Sequence, residues 1–295
     1  MDPTIEAVSK ITVPLILERK LRGEKITCLT AYDFPTARLV DESGIDVILV
    51  GDTLGEVILG YDSTLPVTVE DVLHHLRAVR RGAGRALLIA DLPFGSYHVS
   101  EDQAMAAAIR YVKEGGAEAV KLEGGRKRAA LIRRLVEESI PVMAHIGLTP
   151  QSIHALGGHR VQGKTPDSAR DLLRDAQAVE DAGAFSVVLE GIPRELAALI
   201  TQRLRIPTIG IGAGPECDGQ ILVFHDLIGM SSGRRPKFVR AYANLAEVIQ
   251  SAVKNYCADV RNGRFPEDAE SYHWPSVTRE HFEKDREPQA LRAKG

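Results

Sequence analysis

Short apolar runs, most of them closed by a polar residue or a glycine, recur along the chain, and segments of helical period lie between several of them. Eight runs stand out: residues 26–31, 46–50, 86–90, 119–122, 141–146, 186–189, 207–211 and 221–224. Their hydrophobicity is continuous rather than alternating, which suits strands buried on both faces, as in a parallel sheet covered by helices. Between the runs, residues 101–114 set Ala104, Ala108, Ile109, Tyr111 and Val112 into an apolar stripe that stops at Gly115-Gly116. The same reasoning predicts helices over about 68–81, 166–182 and 193–204. Gly44, Gly116 and Gly183 each fall just before a run, where a helix C-terminal cap belongs.

The repeating unit is βα, and eight units in about 250 residues match a closed (β/α)8 TIM barrel. An open doubly wound sheet is the rival, because periodicity does not report closure. Loops 51–67 and 147–165 are longer than ordinary connections, and loops of that length in a compact domain commonly carry function. A single barrel domain with an N-terminal helix is expected over residues 1–258. Beyond Ala258 the sequence turns to Arg, Asn, Gly, Pro, Glu and Lys, with Trp274 among few aromatic anchors, so 259–295 is expected to be a polar tail.

Composition narrows the chemistry. With 44% hydrophobic residues in 295, a globular core is affordable, and a formal net charge of −3 lacks the basic footprint of a nucleic-acid binder. A small-molecule partner is expected. The three cysteines, Cys28, Cys217 and Cys257, are widely spaced and form no CxxC pair, which fits a reducing cytoplasm. The apolar run 13–17 is too short for a signal or a membrane span.

In a parallel barrel the chemistry lies at the carboxyl ends of the strands. The residues that close the runs are Tyr32-Asp33, Asp52-Thr53, Asp91, Lys121 with Glu123, His145, Glu190 and the glycine-rich segment 210–214. Asp52, Asp91, Glu123 and Glu190 would repel one another at one mouth unless a cation or protons neutralised them. Oxygen ligands without cysteine favour magnesium or manganese over zinc. Any one carboxylate could instead be a helix cap or a salt bridge; the recurrence over several strand ends favours the metal site. Lys121 and Glu123 are two apart on a strand, so they share a face, either as catalytic groups or as an interior ion pair. For His145 three readings stand level: ligand, acid–base group or core histidine. His74, His75, His154 and His159 read as surface or loop residues. Glu190, if not bound to the metal, makes a sensible general base. The segment 210–214 is a weak phosphate signal, and close backbone packing explains it better.

Several stretches resemble one family. Leu29-Thr30-Ala31-Tyr32-Asp33, Val50-Gly51-Asp52, Asp62-Ser63-Thr64-Leu65-Pro66-Val67-Thr68, Ala90-Asp91-Leu92-Pro93-Phe94 and Lys121-Leu122-Glu123-Gly124-Gly125 are similar to ketopantoate hydroxymethyltransferases. So are His145-Ile146-Gly147-Leu148-Thr149-Pro150-Gln151-Ser152, the segment 210–214 and Asp218-Gly219-Gln220-Ile221-Leu222-Val223, all in order. The resemblance implies a barrel of the phosphoenolpyruvate/pyruvate type that binds Mg2+ and moves a one-carbon unit from 5,10-methylenetetrahydrofolate to 2-oxoisovalerate. It implies Asp52, Asp91 and Glu123 as metal ligands, Asp52, Thr53, Asp91 and Lys121 as oxo-acid contacts, and Glu190 as base. With Glu190 and Lys121, His145 completes the catalytic set expected here. The resemblance also implies a homo-oligomer, commonly a decamer in the family. One departure is Thr53, where the family usually has serine.

The implied chemistry is that of an enolate. Glu190 removes the C3 proton of an oxo acid held at the metal, Lys121 adds positive charge, and the enolate attacks a formaldehyde-level carbon delivered by the folate. A lyase or mutase of the same superfamily is a second reading, but the cysteine-bearing loop of isocitrate-type lyases has no counterpart among Cys28, Cys217 and Cys257. A non-catalytic binding barrel would be expected to have lost the carboxylates.

Overall fold

A computed structural model describes residues 9–231 and 236–283. The apolar runs form eight parallel strands, β1 (Ile26–Thr30), β2 (Val47–Val50), β3 (Leu87–Asp91), β4 (Ala119–Glu123), β5 (Val142–Gly147), β6 (Ser186–Glu190), β7 (Thr208–Ile211) and β8 (Gly219–Leu222), closed into a barrel in chain order. Closure is direct, because β8 pairs with β1 from Ile26↔Gly219 to Leu29↔Leu222. That removes the open-sheet alternative. Seven strands lie within one residue of the runs, but β8 sits two residues earlier than 221–224. Its first half, Gly219-Gln220, is not apolar, and Phe224 already opens a helix, its N–H donating to Thr30 Oγ1 at 3.0 Å.

Period two along each strand divides the core into two layers. Ile26, Cys28, Val47, Leu49, Leu87 and Ile89 are among those filling the barrel interior. Leu29, Ile48, Val50, Leu88, Val120 and Leu122 point outward under the helices. Burying each such aliphatic side chain stabilises the fold by roughly 1.5–3 kcal/mol. The expected N-terminal helix, α1 (Val13–Arg22), sends Ile16 into the interior cluster together with Ile11. Its Arg19 donates to Asp46 Oδ2 and its Lys20 to Asp218 Oδ2, both at 2.8 Å, just ahead of β2 and β8. The amino-terminal end of the barrel is thereby sealed, which leaves the carboxyl end for chemistry.

The connections contain α2 (Phe34–Glu42), α3 (Leu54–Val57), α4 (Val69–Gly82), α5 (Glu101–Gly115), α6 (Ala129–Glu137), α7 (Ile153–Leu156), α8 (Pro166–Asp181), α9 (Arg194–Arg203) and α10 (Phe224–Leu227). Side chains set several of the starts. Thr68 with Asp71 and Thr165 with Ser168 close capping boxes at α4 and α8, and Ser100 accepts from the Gln103 N–H at α5. Gly44, Gly116 and Gly183 take φ of 86°, 73° and 94°, the left-handed conformation of a helix stop. The long loop after β2 contains α3, and the one after β5 contains a 3₁₀ turn, Pro150–Ser152, followed by α7.

The chain divides into two compact units between Ala243 and Asn244. The second unit contains α11 (Leu245–Arg261) and α12 (Ser276–Glu283). The boundary expected after residue 258 is therefore displaced. Composition changes where α11 ends, whereas the unit begins fifteen residues earlier, where the apolar positions still follow a helical period. Trp274 stacks on Phe282 with ring centroids 5.1 Å apart and remains 61% exposed, a weak anchor. No helix among the described residues is long and apolar enough to cross a membrane.

Candidate active site

The residues that close the strands converge. Asp52, Thr53, Asp91, Lys121, Glu123, His145 and Glu190 all line one cavity of about 450 Å³, counting the space open to solvent. Register explains the convergence, since Asp91 lies opposite Lys121 and Glu123 opposite His145. Lys121 and Glu123 share the inner face, as their spacing predicts, while Val120 and Leu122 belong to the outer layer.

Each of three carboxylates is held at one oxygen. Lys121 Nζ donates to Asp91 Oδ2 at 2.6 Å, so the interior ion pair exists, formed with the neighbouring strand and not with Glu123. Gln151 Nε2 donates to Asp52 Oδ2 at 2.9 Å, and the Gln151 backbone N–H donates to Glu123 Oε2 at 3.1 Å. The other oxygens of Asp91 and Glu123, Oδ1 and Oε1, are buried without a hydrogen-bond partner. Leaving such an atom unmatched costs about 1–3 kcal/mol or more.

Asp52, Asp91 and Glu123 thus reach one cavity. Yet among the described residues no three histidine, cysteine, aspartate or glutamate side chains are drawn into metal-holding geometry. Lys121 and Gln151 hold the carboxylates instead. The donor set itself fits a hard divalent cation, because it offers carboxylate oxygens of which two are buried and unmatched.

The electrostatics follow from burial. Desolvation, opposed by Lys121 and reinforced by Asp52, pushes the Asp91 carboxyl up to about 7. Burial raises Glu123 well above the carboxylate range, with Lys121 opposing and Asp52 and Asp91 adding repulsion. For Lys121 burial works against the charge, but Asp91, Glu123 and Asp52 together outweigh it and keep the ammonium charged. His145 lies between two carboxylates, Nε2 3.2 Å from Glu190 Oε2 and Nδ1 3.6 Å from Glu123 Oε1, and neither nitrogen makes an aligned hydrogen bond. Burial lowers its pKa, against the pull of the nearby Glu190 carboxylate, so the ring is neutral near pH 7.

Other residues singled out in the sequence lie elsewhere. Asp33 is the N-cap of α2 and accepts from the Thr36 N–H at 2.8 Å. His74 and His75 are in α4, where His75 Nδ1 is 2.7 Å from the Tyr32 carbonyl, and His154 and His159 do not line the cavity. In the segment 210–214 a Cβ on Gly212 would come within 2.7 Å of the Phe238 ring, and one on Gly214 within 2.5 Å of Arg194 Cβ. Close packing accounts for these glycines. Cys28 is inside the barrel and Cys217 is buried, and burial raises both thiols. Neither is at the cavity.

Pattern reading missed two groups. Gln151 and Tyr97 hold the site from loops; for Gln151 the signals were the length of the 147–165 loop and its place in the family-like stretch 145–152, and for Tyr97, between β3 and α5, there was none. The other group is an apolar wall of Val188, Ile211, Ile221 and Leu222, which looks like any core strand until closure turns it toward the mouth.

A family model described as ketopantoate hydroxymethyltransferase matches residues 10–268. The chain belongs to that family. Among curated relatives, a 3-methyl-2-oxobutanoate hydroxymethyltransferase of Koribacter versatilis is 57% identical over 90% of this chain and 90% of its own. Enzymes of the same name from Syntrophotalea carbinolica and a Thermoanaerobacter species are 57% and 52% identical, covering 88% and 89% of this chain and 98% and 96% of their own. As a ketopantoate hydroxymethyltransferase family member, the chain is an enzyme. Solved structures share its fold. A phosphonopyruvate hydrolase in complex with oxalate and Mg++ has a TM-score of 0.56 at 17% identity, covering 93% of this chain and 96% of that one. A 2,3-dimethylmalate lyase of the PEP mutase/isocitrate lyase superfamily has a TM-score of 0.54 at 17% identity, covering 92% and 97%. The family member is thus a (β/α)8 barrel of that structural type.

Proposed function

We propose that the chain transfers a hydroxymethyl group from 5,10-methylenetetrahydrofolate to 3-methyl-2-oxobutanoate (2-oxoisovalerate), giving 2-dehydropantoate for pantothenate biosynthesis. The observation that carries this reading is the division of the cavity between buried charges and an apolar wall. A branched 2-oxo acid has the same two ends. Family membership and relatives at 52–57% identity support the choice of acceptor.

In this reading Asp52, Asp91 and Glu123 would hold one Mg2+ per subunit. When bound, the cation supplies a Lewis acid for the oxo and carboxylate oxygens of the substrate. Lys121, kept charged by Asp91, places fixed positive charge where negative charge develops. Glu190, at the end of β6, takes the C3 proton, and the electron pair attacks the one-carbon unit at the formaldehyde level, freed when one water breaks its two bonds to the folate nitrogens. Tetrahydrofolate leaves, the water oxygen becomes the new hydroxyl, and the proton held by Glu190 ends on it. His145, neutral, places its Nε2 3.2 Å from Glu190 Oε2, within reach of that carboxylate when it takes and returns the proton. The Thr53 hydroxyl contacts the oxo acid, and Val188, Ile211, Ile221 and Leu222 take the isopropyl group and exclude water. The same reading carries a cytoplasmic homo-oligomer, which light scattering on the purified full chain checks.

The test is turnover of branched and straight 2-oxo acids with methylenetetrahydrofolate, with Mg2+, Mn2+ or chelator present. Expected is cation-dependent formation of 2-dehydropantoate, fastest with 3-methyl-2-oxobutanoate. Equal turnover in chelator would sink the metal site, and preference for a straight oxo acid would sink the acceptor.

A further inference from the structure

The cavity's carboxylates are arranged by a residue that does not line it. Gln151, 5% exposed, has every polar atom of its carboxamide engaged: Nε2 donates to Asp52 Oδ2 at 2.9 Å and to the Leu92 carbonyl at 3.0 Å, while Oε1 accepts from the Tyr97 hydroxyl at 2.6 Å. Its backbone N–H holds Glu123 Oε2 at 3.1 Å. The amide can face only one way. Turned over, Oε1 would meet two acceptors, Asp52 Oδ2 and the Leu92 carbonyl, and Nε2 would meet the Tyr97 O–H. Tyr97 is fixed in turn, since its hydroxyl accepts from the Glu123 N–H at 3.3 Å and the Arg128 guanidinium lies 4.7 Å over its ring.

We propose that Gln151, oriented by Tyr97, is the positioning residue of the cation site. It engages one oxygen each of Asp52 and Glu123 and so turns the other toward the cavity. Lys121 does the same for Asp91 through Oδ2. The result is three carboxylates, each with one oxygen tied to the protein, and in Asp91 and Glu123 the second is buried and unmatched. The inference rests on the reading of these three as the cation's ligands. It makes the loop after β5 part of that site, because Gln151 is in the Pro150–Ser152 turn. Partners behind metal ligands of this sort commonly change affinity about 10- to 100-fold when removed.

The experiment is titration of the cation-free full chain with Mn2+, the free ion being read from its paramagnetic resonance signal, with thermal melting recorded before Mn2+ is added. Gln151→Leu removes both side-chain donors and is expected to weaken Mn2+ binding about 10- to 100-fold. Tyr97→Phe removes only the hydroxyl that orients the amide and is expected to weaken it several-fold. In the Gln151→Leu background Tyr97→Phe should have a much smaller effect than in the wild type, since only its contact with the Glu123 N–H is then left to lose, whereas a loss of packing would add in full. Wild-type Mn2+ affinity in a folded Gln151→Leu overturns the proposal, as does full additivity of the two substitutions. If Gln151→Leu fails to fold, Tyr97→Phe with native melting decides alone, and unchanged affinity there overturns it. A wild-type chain that binds no Mn2+ overturns the ligand reading itself, which is distinct from a wild type that binds and variants that bind equally well.

Discussion

Two arcs of the barrel mouth, built from the same kind of strand, have opposite chemistry. From β2 to β6 the strands end in Asp52, Asp91, Lys121 with Glu123, His145 and Glu190; β7, β8 and β1 offer Ile211, Leu222 and Thr30 to the same cavity. The apolar arc continues the interior core to the surface and stabilises the fold as it does so. The charged arc does the reverse, since burying carboxylates that retain unmatched oxygens is destabilising. Folding alone gives no reason for such an arrangement on five consecutive strands. In the function proposed, the contrast also sets a direction for the oxo acid, with its ionic end on one side and its alkyl end on the other.

The comparison breaks most visibly at Glu190. Glu190→Gln is expected to slow exchange of the C3 proton of the oxo acid with deuterated solvent by about 10³-fold, within the usual range for loss of a general base. Binding of the oxo acid, which leans on the apolar arc, should stay within a few-fold. Proton NMR of 3-methyl-2-oxobutanoate in D2O measures the first and isothermal titration the second; wild-type exchange in the variant would remove Glu190 as base.

Next in size is Lys121→Met. It deprives Asp91 of its one strong partner at 2.6 Å in a position where Asp91 is 1% exposed. Breaking a buried pair on one side costs about 3–5 kcal/mol. The lower figure is expected, because Asp91 is already pushed up to about 7 and can take a proton. Urea unfolding at neutral pH measures it. A loss below about 1 kcal/mol, the range of exposed pairs, would mean that the charged arc is less dry than its burial implies.

The two arcs were not equally legible in the sequence. A polar residue that ends a continuous apolar run announces itself, and every site residue read from the chain was of this kind. Closure of the barrel then did the rest, because period two and strand register fix which faces meet. The apolar arc is silent for the same reason: Ile211 and Ile221 look no different from residues deep in the core. Gln151 was harder still. Its carboxamide meets Asp52 across 99 positions of sequence, and no local spacing encodes a loop side chain aimed at a distant strand end. The start of β8 was hidden by Gly219-Gln220, and the second unit by an amphipathic α11 that continues the barrel's own helical pattern.

The apolar arc is tested by Ile211→Ala. Ile211 is half-buried at the end of β7, so truncation trims the wall without opening the deep core. Each methylene lost from such a pocket is worth about 1–3 kcal/mol of discrimination. The ratio of kcat/KM for branched over straight 2-oxo acids should therefore fall at least about 10-fold, while kcat on the branched acid changes little. A ratio that does not move would place the alkyl group elsewhere.

The smallest effect is expected where the arcs meet the first carboxylate. Thr53 opens α3, yet its side chain makes no capping hydrogen bond, so its hydroxyl is not committed to the helix. It lines the cavity beside Asp52 with a methyl group that serine would lack. Thr53→Ser keeps the hydroxyl and removes one methyl, worth about 0.8 kcal/mol of apolar contact, or close to fourfold in selectivity toward bulkier oxo acids. Thr53→Val keeps the bulk and removes the hydroxyl, so it should leave the size preference in place and raise KM for every oxo acid. The pair of variants, compared by kcat/KM across acids of increasing branching, separates shape from hydrogen bonding at one position. If neither variant moves either quantity, Thr53 belongs to the structure of α3 alone and selection of the oxo acid lies wholly with the wall across the cavity.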